Sequence, residues 1–329
     1  MKIAVIGDGG WGSAAAALLD SYGHSVVVWG PFPDYIETLR ATRQNPRYLP
    51  GIEFSERIRW TADLDEAVPG AEVVVLAVPS KFYHGVCERV APLLDAQHAL
   101  VVSLTKGVCP ETRQRMSEVA RTVLGSERVV VLSGPSHAEE VARRIPTAVT
   151  CACADHALAV KAQELFNGPR FRVYTSDDVV GAEIGGLVKN VLAIAVGASD
   201  GFGFGDNTRA ALITRGLAEM LRLGEKMGAK PQTLYGLAGI GDLIVTCTSS
   251  HSRNHSVGER LGRGEPIATI LGSMQMVAEG VDNAKLLHEL AAEHGVEMPI
   301  AEVVYRLCYE NLRAEDAVML LMGREAKPE

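Results

Sequence analysis

Residues 7–12 read Gly7-Asp8-Gly9-Gly10-Trp11-Gly12, a GxGxxG pattern directly after an apolar run and at the start of a helical one. Such a turn suits a dinucleotide: Gly7 permits a tight bend, Gly9 lets the backbone approach a pyrophosphate, and Gly12 allows close helix–strand packing. The helix N-terminus adds free N–H groups and a positive dipole. The competing reading is a glycine-rich turn with no ligand. Lys189 is the sharpest single residue, because its neighbours one turn away, Gly185, Gly186, Leu192 and Ala193, are all small or apolar. A lysine on that face either snorkels to solvent or is desolvated, and a desolvated amine suits proton transfer. Asn190 places a second polar group in the same apolar run.

Three further groups could handle an anion. Ser252-Arg253-Asn254 lies ahead of a helical stretch at 256–261; the guanidinium offers a planar fork for phosphate, and the neighbouring side chains and helix start add neutral donors. Lys106 and the run Ser133-Gly134-Pro135-Ser136 follow apolar runs, and carboxyl ends of parallel strands are where open α/β sheets bind ligands. Lys106 reads as a ligand group or a solvated lysine, and Ser136 as a helix cap or a donor to a ligand. Asp242, after Gly239-Ile240-Gly241, reads as a helix cap or an acceptor from substrate hydroxyls.

The elements that must carry these groups follow from patterning. Short runs rich in β-branched residues, at 2–6, 25–29, 73–77, 100–103, 129–132, 147–153 and 171–174, recur between helical patterns without in/out alternation. That predicts a doubly wound, mostly parallel α/β sheet covered on both faces, of the Rossmann type. Beyond residue 176 the strand signal stops, and helical spacing appears at 179–196, 210–227, 286–293 and 301–307. The expected organisation is therefore a dinucleotide-binding domain at 1–176 and an all-helical substrate domain at 177–329. Glycine clusters at 201–205 and 236–241 mark bends. Residues 326–329 read as a frayed tail.

A chain of 329 residues suggests two domains. With 32 basic and 40 acidic residues the formal charge is −8, so no general basic field exists for nucleic acid or an anionic membrane. The longest mainly apolar stretches, such as 191–198, fall short of the roughly 20 residues that span a bilayer, and the N-terminus reads as a buried strand and not as an export signal. Six cysteines show neither CxxC nor zinc spacing, which fits reduced thiols in the cytoplasm. His251 and His255 lack a nearby second pair of ligands, so no metal is expected. No GxSxG elbow supports hydrolysis.

Taken together, GDGGWG, Thr105-Lys106-Gly107, Gly134-Pro135-Ser136, GGLVKNVLAI through Lys189, SDGFGFGDNTRAALITRGLAEM from Ser199, GLAGIGDLIVTCTS through Asp242, Ser-Arg-Asn at 252–254 and Ala278-Glu279-Gly280 resemble the bacterial NAD(P)-dependent glycerol-3-phosphate dehydrogenases. The similarity runs in order from residue 2 to about 323. It implies a cytoplasmic enzyme that interconverts dihydroxyacetone phosphate and sn-glycerol 3-phosphate with NAD or NADP, supplying phospholipid synthesis. It implies Lys189 as proton donor and acceptor, and a substrate lined by Lys106, Gly134, Ser136, Lys189, Asp242, Ser252, Arg253 and Asn254. The nucleotide would meet Gly7, Gly9, Gly10, Trp11, Gly12, Lys106, Ala138, Arg253 and Glu279. The expected partner is a small phosphorylated triose, with no nucleic acid and no membrane insertion, in a homodimer.

Two positions depart from the family pattern. Gly10 stands where serine is usual, and Pro31 where arginine or histidine often follows Trp-Gly. No carboxylate or arginine ends the second strand: Asp34 comes late, and Arg40, Arg43 and Arg47 reach a 2′-phosphate only if their loop folds back. The residues leave NAD and NADP open, and Pro31 leads us to expect a weakened preference for NADP.

Overall fold

The computed structural model describes residues 1–274 and 277–323, so the expected tail at 326–329 lies outside the described residues. The strands are β1 (Lys2–Ile6), β2 (Ser25–Trp29), β3 (Gln44–Asn45), β4 (Leu49–Glu53), β5 (Arg59–Thr61), β6 (Val73–Leu76), β7 (Leu100–Ser103), β8 (Val129–Ser133), β9 (Thr147–Ala152) and β10 (Phe171–Ser176), and β-branched residues are concentrated in all of them but β3, β4 and β5. Eight of them make one sheet in the order β10-β9-β8-β7-β6-β1-β2-β5. Only β8 and β9 pair antiparallel in it. Every residue of β6, β7 and β8 is buried, which is why these strands carry no alternation.

The helices covering the sheet are α1 (Gly10–Ser21), α2 (Pro33–Thr42), α3 (Leu64–Ala67), α4 (Ser80–Val90), α5 (Met116–Leu124), α6 (Ala138–Ala142) and α7 (His156–Phe166). The strand order reverses at β1, with β2 on one side and β6 on the other. A switch point of that kind opens a crevice outside the carboxyl ends of the strands, and the glycine turn of residues 7–12 begins there.

The chain then enters α8 (Val179–Gly201), followed by α9 (Asp206–Lys226), α10 (Pro231–Leu234), α11 (Asp242–Thr248), α12 (Arg253–Gly262), α13 (Ile267–Ser273), α14 (Glu279–Glu293), α15 (Pro299–Tyr309) and α16 (Ala314–Met322). Two compact units result, Met1–Glu183 and Ile184–Glu329. The division falls inside α8, later than residue 176, for a local reason. The Glu183 carboxylate accepts from Ser117 N at 2.8 Å, Ser117 Oγ at 2.7 Å and Arg115 Nη1 at 2.7 Å, which fastens the first turns of α8 to the start of α5.

Two readings of the sequence need correction. The 23 residues of α8 are long and apolar enough to cross a membrane, contrary to the expectation of no such stretch, but 89% of the qualifying segment is buried inside the protein. The hairpin β3–β4 and strand β5 were also missed. β4 contains Pro50 and Gly51, which erase the strand pattern, and β5 is only three residues long.

In the second unit the expected bends exist. The cluster 201–205 joins α8 to α9, and Leu237–Gly241 forms one π-helical turn before α11. Helix α12 lies directly on α8: a Cβ on Gly197 or Gly201 would overlap the carbonyl oxygens of His255 and Glu259, and one on Gly258 or Gly262 those of Ile194 and Ala198. Only glycine lets the two backbones come so close.

Candidate active site

The glycine turn is built as the motif requires. Gly7 has φ of 125°, and a Cβ there would lie 2.6 Å from the Ala77 carbonyl oxygen just past β6. Gly9 is the N-cap of α1, no side chain caps that helix, and nothing lies within 4 Å of the position of a Cβ on Gly9. An open face beside uncapped N–H groups fits the pyrophosphate of a dinucleotide. Gly12 packs against the Gly7 carbonyl. Asn45 pins the turn by donating from Nδ2 to the Asp8 carbonyl at 2.7 Å and to Ser13 Oγ at 2.8 Å.

Gly10, where the resembled family usually has serine, lies under the hairpin loop. A Cβ on it would sit 2.7 Å from the Tyr48 carbonyl oxygen and 3.6 Å from the Ala138 Cβ. The Trp11 ring packs against Phe171, with centroids 6.5 Å apart.

Lys106 Nζ donates to the Gly134 carbonyl at 3.0 Å, and Ser136 Oγ donates to the same oxygen at 3.0 Å. Both groups therefore converge at the carboxyl ends of β7 and β8. Ser136 is not the cap of α6, which is His137.

In the helical unit, Lys189 is 7% exposed. Its ammonium donates to Asp242 Oδ1 at 2.7 Å and to Thr246 Oγ1 at 2.8 Å. The expectation of a lysine with no carboxylate one turn away on its own helix holds for α8, but a counter-charge arrives from α11. Asp242 is thus an ion-pair partner, and the cap of α11 is Gly241. Thr246 hydrogen-bonds back to the Asp242 carbonyl at 2.6 Å, so one face of α11 presents both acceptors. The neighbouring Cys247 thiol is pushed up to about 12 by burial and by the charges of Asp200 and Asp242, against the pull of Lys189. It is no nucleophile near neutrality.

The Ser-Arg-Asn cluster starts α12 and does not precede it. Ser252 is the N-cap, its Oγ accepting from His255 N at 3.2 Å. Arg253 is exposed, with Nη1 donating to the Val277 carbonyl at 2.6 Å. Asn254 is the bracket: its Nδ2 donates to Asn190 Oδ1 at 2.9 Å, and its Oδ1 accepts from Gly280 N at 3.0 Å. Through that amide the helix of Lys189, the start of α12 and the start of α14, where Glu279 is the first residue, are held at one place. Two contributors escaped the sequence reading, Thr246 and Asn45. The spacing of Thr246 one turn after Asp242 was a usable signal; Asn45 lay in the unrecognised hairpin and gave none.

A profile described as the N-terminus of NAD-dependent glycerol-3-phosphate dehydrogenase matches residues 2–159, and one described as its C-terminus matches residues 178–319. The chain belongs to the NAD-dependent glycerol-3-phosphate dehydrogenase family. It is similar to the glycerol-3-phosphate dehydrogenase [NAD(P)+] of Citrifermentans bemidjiense, 50% identical over 331 aligned residues that cover 100% of this chain and 98% of that one. The Listeria monocytogenes protein of the same name is 46% identical over the same shares. Among solved structures, the glycerol-3-phosphate dehydrogenase of Coxiella burnetii superposes with a TM-score of 0.93 at 41% identity, covering 98% of each chain. As a glycerol-3-phosphate dehydrogenase family member, this chain is an oxidoreductase that uses NAD or NADP.

Proposed function

We propose that this dehydrogenase interconverts dihydroxyacetone phosphate and sn-glycerol 3-phosphate with Lys189 as its proton donor and acceptor. The observation that carries the assignment is the buried Lys189 ammonium on Asp242 and Thr246, within a cluster that also holds Arg253 through Asn254 and Asn190. When bound, the dinucleotide supplies or takes up the hydride. In the reducing direction Lys189 gives its proton to the developing alkoxide, and in oxidation its amine takes the proton back. Asp242 and Thr246 fix the direction of Nζ. Arg253 and Ser252 grip the phosphate, a remote group whose binding energy positions the reacting carbon. Lys106, Gly134, Ser136 and Asn254 complete the substrate ligands.

Gly7, Gly9, Gly10, Trp11 and Gly12 hold the dinucleotide through the uncapped start of α1, with Lys106, Ala138, Arg253 and Glu279 as further contacts. We assign most of nucleotide binding to the sheet domain and most of substrate binding to the helical one, with Lys106, Gly134 and Ser136 lent to the substrate by the former and Arg253 and Glu279 to the nucleotide by the latter. The product supplies phospholipid synthesis. The six cysteines are free and buried, which supports a reducing, cytoplasmic setting. The assembly is a homodimer, the commonest closed form of soluble enzymes; exposed Met319, Leu320 and Met322 on α16 offer it apolar surface. Absorbance loss of NADH and of NADPH, each with dihydroxyacetone phosphate and with non-phosphorylated ketoacids, tests the function. Turnover confined to the ketoacids would overturn it.

A further inference from the structure

Asp8, the middle residue of the glycine turn, has no part in the reaction described above. The residue is 6% exposed, and Oδ2 is enclosed without a hydrogen-bond partner. A buried carboxyl oxygen left unpaired is costly and calls for a reason. Opposite it stands Gly30, the first residue after β2: a Cβ on Gly30 would lie 2.5 Å from Asp8 Oδ2. The end of that strand is where a dinucleotide-binding sheet usually carries the acidic residue that reads the ribose 2′-hydroxyl. Here the chain reads Trp29-Gly30-Pro31, and the space that Gly30 leaves is filled by the carboxyl group of Asp8.

We infer that Asp8 is the specificity-determining residue of the dinucleotide site: its carboxyl group, delivered from the glycine turn, replaces the acid missing after β2 and disfavours a nucleotide bearing a 2′-phosphate. The inference deepens the dehydrogenase reading and rests on it. A carboxylate and a 2′-phosphate held close in a poorly solvated turn repel, whereas a ribose hydroxyl can donate to the carboxylate. Burial pushes the Asp8 carboxyl up to about 6, with its own backbone N–H and the Arg47 guanidinium pulling the other way, so it carries charge at pH 8.

The surroundings fit that assignment. Arg40 spends Nε on the Trp60 carbonyl at 2.7 Å, and Arg43 spends Nη1 on the Ile58 carbonyl at 3.1 Å; both are engaged with the backbone at β5 and just before it. Arg47 is the charged neighbour of Asp8, and Tyr35 is the other titratable group that faces it. Tyr35 Oη donates to Asn45 Oδ1 at 2.6 Å and accepts from Arg47 N at 3.1 Å, while Asn45 holds the Asp8 carbonyl. The hairpin thus sets the position of Asp8.

The test is binding without substrate: tryptophan-fluorescence titrations of wild type, Asp8→Asn and Asp8→Ala with NADH and with NADPH at pH 8. Wild type is expected to bind NADH more tightly, and both variants to move the NADPH-to-NADH ratio toward NADPH by about tenfold, the size of one modest charge contact. A wild type that prefers NADPH, with Arg47 then reading the phosphate, would overturn the inference. So would a ratio that moves by less than about twofold in both variants. A wild-type preference for NADPH overturns the inference even if one variant fails to fold, and the other variant then still reads the shift. Loss of triose-phosphate turnover with the binding ratio intact would sink the proposed reaction and leave Asp8's role standing.

Discussion

Gly185 on α8 lies against the Ala238 carbonyl of the π-helical turn so closely that a Cβ on Gly185 would overlap that oxygen. Gly185 is one helical turn before Lys189, and Ala238 one turn before Asp242. The contact between them therefore sets how near the carboxylate comes to the ammonium, 2.7 Å as observed. Gly185→Ala should destabilise the protein by about 1–3 kcal/mol through overpacking and should lower kcat more than it changes nucleotide affinity. Urea unfolding and steady-state kinetics on the same preparation check both halves; an unchanged kcat would mean the turn does not position Asp242.

Lys189→Ala should cut kcat by about 10²–10⁴-fold, the usual worth of a positioned acid–base group, with nucleotide dissociation constants nearly unchanged. Asp242→Asn should also lower kcat, because the ammonium loses its counter-charge in a buried site. Turnover of Lys189→Ala within threefold of wild type would remove this residue from the reaction.

Arg253→Ala should act chiefly on the Michaelis constant for the phosphorylated substrate, raising it by the equivalent of about 2–3 kcal/mol if a charged hydrogen bond is lost. The same variant should keep its fold, since Arg253 is exposed and donates to one carbonyl, that of Val277. Steady-state kinetics across a range of dihydroxyacetone phosphate concentrations separate the two constants.

Stability should report Asp8 as well. Its folded-state pKa is raised from 3.8 to about 6, so the folded protein binds that proton more tightly than the unfolded chain does. The contribution is fully present below about pH 3.8 and is lost as pH rises through about 6. Between those limits wild type should lose on the order of 2–3 kcal/mol relative to Asp8→Asn. Urea unfolding at pH 4.5 and pH 7.5 measures the difference; parallel slopes for the two proteins would contradict it. Buried Glu183, also raised mainly by burial, adds a loss of the same sign to both proteins and cancels in the comparison.

The thiols of Cys87, Cys151, Cys247 and Cys308 are each pushed up to about 12 by burial. Native protein should therefore react sluggishly with a thiol-specific reagent at pH 8 and release its full complement only in denaturant. Rapid native labelling at these positions would show that the burial is breached in solution.

Much of this was legible in the residues alone. The parallel strands announced themselves because burial on both faces requires unbroken β-branched runs, and the glycine turn because its backbone geometry admits few other residues. Lys189 stood out against its own helix. What escaped notice depends on partners far off in the chain: nothing near Lys189 in sequence reveals that Asp242 neutralises it, and nothing at Ser252 shows that α12 begins one residue later. The hairpin was hidden by Pro50 and Gly51. Asp8 read as the variable letter of a motif, since its meaning comes from the empty side-chain position at Gly30.

The Tyr48 carbonyl over Gly10 carries a practical consequence. An engineer restoring the customary hydroxyl at position 10, in order to tune nucleotide preference, cannot graft it alone: its first carbon has nowhere to go until the roof of the hairpin is raised. The two segments form one unit of redesign, and any library that varies the turn should vary residues 44–53 with it.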